Sequence, residues 1–276
     1  MKKVFSLLAR AYFQTVILSL FLIVMMNIPG ILKAQVLETE TARFLRPGGF
    51  QAGNAFEFQT SSQGQEYAVP FAYEFGITKR FTLLVEPVPF TEISPAFVND
   101  SNPVSVGIGD LESTLEYLIV NEKKVLPAIA CGFEVKFPTA SNKFIGTGKT
   151  DFALYLMASK RVKSFDFHAN FIYNINGSPP GIPLKNTYEG RLAAEYFFGK
   201  AELFGELIGV SSSAPAGEGD APVGAGAVFT PEAATAEFTA SAGLGFNFRP
   251  GLLGSLGVVV FNNGAILLRP GLTMNF

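Results

Sequence analysis

Between residues 165 and 176 the sequence reads F-D-F-H-A-N-F-I-Y-N-I-N. In an extended chain, Phe165, Phe167, Ala169, Phe171, Tyr173 and Ile175 share one face. Asp166, His168, Asn170, Ile172, Asn174 and Asn176 share the other. A period of two is the signature of a strand with two unlike faces. The device recurs at 66–77, where Tyr67, Val69, Phe71, Tyr73, Phe75 and Ile77 alternate with Glu66, Ala68, Pro70, Ala72, Glu74 and Gly76. It recurs again at 151–159, with Phe152, Leu154 and Leu156 on the apolar side. Such a ribbon can turn its apolar face to a second sheet or to lipid. Composition separates the two outcomes. Hydrophobic residues make up 48% of the chain and charged residues 16%, too few charges for a surface bathed in water. The only apolar run long enough for a membrane helix lies at the extreme N-terminus.

The alternation predicts twelve strands, at 51–60, 66–77, 81–90, 108–119, 126–137, 151–161, 165–176, 186–198, 201–211, 236–248, 252–261 and 265–276. Each is long enough to cross a bilayer at the usual strand tilt. The connections sort by parity. The second, fourth, sixth, eighth and tenth are short: T-K-R, V-N-E-K-K-V, V-K-S, G-K and R-P-G. Long segments, 91–107, 138–150 and 212–231 among them, occupy alternate positions, and only the hairpin at Asn262-Asn263-Gly264 departs from the rule. Outer-membrane barrels have short periplasmic turns and longer outer loops. Unpaired strand edges cost several kcal/mol per group in hydrocarbon, so a sheet that crosses must close. The expected fold is all-β: a closed antiparallel transmembrane barrel of about twelve strands, with both termini on the periplasmic side. Some positions fit poorly. Pro70 and Pro270 remove ladder donors, and Phe204, Ile208, Val210 and Leu253 fall on the inner face.

Residues 1–34 read as a secretory signal, with Lys2, Lys3 and Arg10 before the apolar run Val16–Met26 and with Leu32 and Ala34 at the cleavage positions. An uncleaved anchor is the alternative. The expected division is 1–34 signal peptide, 35–50 periplasmic lead-in and 51–276 barrel. Beyond residue 34 the chain holds 17 basic and 23 acidic residues, a balance unsuited to nucleic acid. The single cysteine, Cys131, forms no internal disulfide; flanked by Ile129 and Phe133, it points to lipid. With one cysteine and one histidine, no ligand spacing for a metal is visible, and no cofactor is expected. The G-T-G-K-T run at 146–150 is not a P-loop. The required glycine would stand at Lys143, and a strand rather than a helix follows.

Several motifs come in a recognisable order: G-I-G-D-L-E-S-T-L-E-Y at 107–117, P-A-I-A-C-G-F-E-V-K-F-P-T at 127–139, G-T-G-K-T-D-F-A-L at 146–154 and F-H-A-N-F-I-Y-N at 167–174. With the lead-in T-A-R-F-L-R-P-G-G-F at 41–50, this resembles the outer-membrane barrels of the MetA pathway of phenol degradation family. Ala140 stands where that family usually has glycine. The resemblance covers roughly 40–200 by motif and the remainder by architecture. It implies passage of small, often aromatic, solutes. The final R-P-G-L-T-M-N-F resembles the C-terminal strand of such barrels, whose closing aromatic, here Phe276, is read by the insertion machinery.

If the apolar face meets lipid, the polar face lines a lumen. The lumen-lining candidates are Glu86, Glu112, Glu134, Lys136, His168, Arg191, Glu206 and Arg269. Acids outnumber bases on that face, and rings of acids attract cations. The expected function is passive passage of small solutes through an acidic lumen. The expected partners are outer-membrane lipid, a small-molecule solute and, through Phe276, the insertion machinery. The alternative is a plugged structural barrel whose long outer loops bind a partner. A third reading, an outer-membrane esterase, would rest on His168, but the sequence places no serine beside it, and no catalytic residue is expected.

Overall fold

The computed structural model describes residues 37–99, 102–181, 183–213 and 236–276. The signal at 1–34 and nearly all of the 212–231 loop lie outside the described residues. Among the described residues, sixteen strand segments join end to end into twelve strands. β1 comprises Phe50–Ala55 and Glu57–Ser61, β2 Gly64–Ala68 and Phe71–Gly76, β3 Phe81–Pro87 and Thr91–Pro95, and β4 Ser105–Gly107 and Leu111–Val120. The rest are unbroken: β5 Ala128–Phe137, β6 Asp151–Val162, β7 Phe165–Ile175, β8 Thr187–Phe198, β9 Ala201–Val210, β10 Glu237–Arg249, β11 Leu252–Phe261 and β12 Ile266–Asn275.

Each strand pairs antiparallel with the next, and β1 returns to β12 in the register Gln51↔Asn275 to Ala55↔Gly271. The seam is tied at its end by the Phe276 N–H donating to the Phe50 carbonyl at 2.7 Å. The sheet is therefore a closed barrel. No helix among the described residues is long and apolar enough to cross a membrane.

The wall inverts a soluble core. Leu192 is 58% exposed, while Glu202 is fully buried. Phe152, Leu154, Leu156, Phe165, Phe167 and Phe171 face outward, and Ser159, Asp166, His168 and Asn170 face inward. Aromatic rings meet along the outside at a tilt, as in Phe165 against Tyr196 at 4.7 Å and Phe81 against Tyr117 at 4.9 Å.

The misfit prolines explain the breaks. In an antiparallel strand one residue's N–H and C=O point to the same neighbour. The Pro70 carbonyl accepts from Ala55 N–H and the Pro270 carbonyl from Phe56 N–H. The missing donors of both prolines therefore face β1 where it breaks, at Phe56. The breaks in β2 and β3, like this one, fall at prolines, Pro70 and Pro89. Main-chain bonds cross the line of breaks all the same, from Val69 N–H to the Phe90 carbonyl and from Gly109 N–H to the Val88 carbonyl.

Past its break β3 resumes at Thr91–Pro95, and β4 begins early, at Ser105–Gly107. The expected 91–107 loop thus gives residues at both ends to strands and shrinks to 96–104. The first outer connection also corrects the parity rule, because only residues 62–63 separate β1 from β2. It is a second short outer turn beside the one ending at Gly264, whose φ is +85°.

The G-I-G-D motif is a joint. Gly107 lies against Ser141 and Ile145 of the 138–150 loop, and a Cβ on Gly109 would stand 2.9 Å from Val88 Cβ. Asp110 accepts from Ala140 N–H at 2.9 Å. Glycine is needed here for close approach, and the loop after β5 folds against β4 instead of standing free. Gly109→Val should lower the unfolding free energy in detergent by about 1–3 kcal/mol through overpacking. Gly190→Ala, with open space around it, should leave the unfolding midpoint unchanged.

Candidate functional site: the lumen and its strap

Residues 37–44 run inside the barrel, held by side chains of the wall. The lead-in expected in the periplasm is, in this stretch, a lumenal strap. Main-chain groups that form no sheet need other partners, and inward polar residues supply them. Thr39 N–H donates to Glu206 Oε1 at 2.6 Å, and its hydroxyl donates to the same oxygen. Glu40 N–H donates to Asn170 Oδ1 at 2.7 Å, and Asn170 Nδ2 returns a bond to the Glu40 carbonyl at 2.9 Å. Ala42 N–H donates to Ser159 Oγ at 2.8 Å. Arg191 donates to the Glu38 carbonyl, and Arg269 pairs with both Glu38 and Glu57.

The inward apolar residues are the strap's seats. Leu37 packs, as does Leu252, against the buried pair Phe204 and Leu253. Ala42 packs with Leu118, Ala128, Ala130 and Met157, flanked by Phe44 and Tyr155. The poor fit of Phe204 and Leu253 to a polar lumen is resolved by what they cover.

The strap's strongest tie lies near the periplasmic turns. Arg43 reaches Asp166 Oδ2 at 2.6 Å and Glu122 Oε2 at 2.8 Å. Glu122, in the β4–β5 turn, also accepts from Lys160 Nζ at 3.1 Å and Arg161 N–H at 2.9 Å. Partial burial pushes the Glu122 carboxyl up, but the bonds from Arg43, the Arg161 main chain and Lys160 outweigh it and hold the group at about 2, against an ordinary 4.5.

The eight lumen-lining candidates take four places on the inward side of the wall. Glu86, Glu112 and Glu134 gather on β3, β4 and β5 with carboxylate oxygens within 4.8 Å of one another. Glu134 accepts from Thr114 Oγ1 at 3.0 Å and Tyr155 OH at 2.8 Å. Lys136 is drawn aside to Asp151 and Asp110. Arg191 (paired with Glu189), Arg269 and Glu206 hold the strap. His168 stands on the floor with Asp166 and Glu195. Between strap and wall lies a cavity of about 420 Å³, whose lining includes Glu57, Glu66, Glu74, Glu86, Glu112, Lys136 and Arg269.

Two placements were not legible in the sequence. Glu195 pairs directly across from Asp166, and Ser159 across from His168, with Ser159 Oγ 2.8 Å from His168 Nδ1. A serine does accompany the histidine, contrary to the sequence reading. It is 1% exposed, and its oxygen accepts from Ala42 beneath the strap.

The chain matches the profile of the family described as "Putative MetA-pathway of phenol degradation" over residues 89–263. Among solved structures it resembles an outer-membrane channel from Pseudomonas putida F1, with a TM-score of 0.61 and 13% identity over 87% of this chain and 100% of that one. It also resembles the NanC porin, with a TM-score of 0.56 and 10% identity over 81% and 98%. A KdgM porin solved with a disordered oligogalacturonate gives a TM-score of 0.51 and 13% identity over 82% and 99%. No curated protein matches. The barrel is of the bacterial outer-membrane type, and that membrane is where its apolar wall sits.

Arg43→Ala should cost about 3 kcal/mol, because it strips the partner from the buried Asp166. The Glu122 group, depressed in the folded state, contributes stability that is complete above pH 4.5 and lost as pH falls toward 2. The unfolding midpoint of the wild-type barrel should therefore fall over that window more steeply than that of Glu122→Gln, measured side by side in detergent.

Proposed function

Since the chain belongs to the MetA-pathway of phenol degradation family, we propose that it is a passive outer-membrane channel for small solutes, aromatic or amphipathic ones among them, with a preference for cations. It reaches the membrane through a signal at 1–34, and the Phe276 end serves as the mark for the insertion machinery. The observation that carries this reading is the cavity between strap and wall, where carboxylates outnumber bases. The cations on that surface are already committed. Lys136 is paired with Asp151, and Arg269 with Glu38 and Glu57. Glu86 and Glu112 thus present carboxyl oxygens that a passing cation can meet, as acidic rings do in cation channels.

A second reading, the plugged barrel, is favoured by the strap itself, which crosses the space a solute would use. Glu206, whose carboxylate bonds Thr39, acts in either reading as an anchor and not as a charge on the path. An esterase is not supported, since Ser159 and His168 are both buried and face inward.

Planar-bilayer recordings separate the two readings. Wild type should show small cation-preferring conductance. Deletion of 37–44, which leaves the wall untouched, should raise it several-fold. Glu86→Gln with Glu112→Gln should move the reversal potential toward zero under a salt gradient. Glu206→Ala should raise conductance without that shift. A wild-type barrel that is sealed and conducts only after strap deletion would decide for the plug.

A further inference from the structure

The floor of the lumen brings together three residues that the channel reading leaves unused. On paired strands β7 and β8, Asp166 lies directly opposite Glu195, and His168 follows two residues later on the same inward face. One ligand atom from each lies within 4.8 Å of the other two. His168 Nε2 is 3.6 Å from Asp166 Oδ1 and 3.8 Å from Glu195 Oε2. These distances are too long for hydrogen bonds. They approach the edges of a tetrahedron, roughly 3.4 Å, around a metal with ligands at about 2.1 Å.

The other ends of these side chains are held. His168 Nδ1 lies 2.8 Å from Ser159 Oγ, and Asp166 Oδ2 is taken by Arg43. With a proton on Nδ1 donated to Ser159, Nε2 presents a bare lone pair toward two carboxylate oxygens. Neither of those oxygens, Asp166 Oδ1 or Glu195 Oε2, has a hydrogen-bond partner, although the two side chains are only 3% and 4% exposed. Buried polar atoms without partners call for an ion or a water, and here a nitrogen lone pair and two anionic oxygens converge on one point.

We infer that Asp166, His168 and Glu195 form a binding site for a divalent transition-metal ion of the zinc class on the lumen floor. One imidazole with two carboxylates suits such an ion. The Ser159 hydroxyl and the Arg43 guanidinium orient the ligands from behind, the outer support that metal sites need. His168 and Glu195 also line the cavity, so an ion can enter from the lumen and keep an open position toward it. Through Asp166–Arg43 and Ser159–Ala42 the site touches the strap, so a bound ion would fasten strap, β6, β7 and β8 together.

The test uses the folded full-length barrel in detergent, stripped with a chelator and dialysed against micromolar Zn²⁺. Wild type should retain one equivalent by elemental analysis, and its unfolding midpoint should rise with Zn²⁺. His168→Gln and Glu195→Gln should lose the equivalent and the rise, while Glu112→Gln, in the separate glutamate cluster, should keep both. Absence of bound zinc in wild type overturns the site, as does its retention in both floor variants or its loss in Glu112→Gln. Should a floor variant fail to shift on a heat-modifiable gel, wild type alone decides by zinc-edge X-ray absorption. One nitrogen and two carboxylate oxygens at about 2.0–2.2 Å support the site, and an all-oxygen shell overturns it.

Discussion

The pairing of β1 with β12 is the constraint on which the rest depends. In hydrocarbon each unpaired main-chain group costs several kcal/mol, so a sheet with an apolar outer face is stable there only when its first and last strands meet. The seam from Gln51↔Asn275 to Ala55↔Gly271 does this, and beyond the break at Phe56 it continues as Phe58↔Leu268 to Thr60↔Ile266. The break is tolerable because Pro70 and Pro270 leave few donors unpaired at that level. The four breaks in the strands thereby all fall in β1–β4.

Closure with lipid outside forces polarity inside, and polarity inside creates a problem of its own. Inward carboxylates such as Glu206 and Asp166 need donors that a β-ladder, already saturated, does not provide. The strap supplies them. Thr39 donates to Glu206, and Arg43 answers Glu122 and one of the two oxygens of Asp166. The inner apolar residues Phe204 and Leu253 need covering, and Leu37 covers them. One short stretch thus answers the wall's polar and apolar demands together, which is why its own irregular backbone can lie within the barrel.

The fold was largely legible because its determinants are local. Alternation in segments such as 165–176 fixes which face each residue takes, and a face, once assigned, places His168, Glu206 and Arg269 inside. What escaped was pairwise. Register decides that Ser159 meets His168 and that Glu195 meets Asp166, and alternation is silent about register. The early start of β4 escaped because Ser105–Gly107 is too short to show an alternation of its own; Gly107 and Gly109 serve close packing with Ser141 and Val88. The strap escaped because a polar stretch lacking periodicity looks the same in the periplasm and in a polar lumen. Only the acids waiting inside distinguish the two, and they lie far along the chain.

The distribution of bonds also decides what can move. The wall is held by a continuous main-chain ladder, each strand tied on both sides. The strap is held by side chains, through separate contacts that are individually worth about 1 kcal/mol when neutral and somewhat more when charged. Part of the wall's charge remains unanswered even with the strap in place. Neither carboxylate oxygen of Glu202 has a hydrogen-bond partner, and Glu86 and Glu112 crowd Glu134. A mobile cation can relieve that surplus without disturbing the ladder. The hydrogen-bonded ladder therefore fixes the wall, and the strap, through side-chain ties such as Arg43 with Asp166 and Glu122, adds stability from within while it fills part of the lumen.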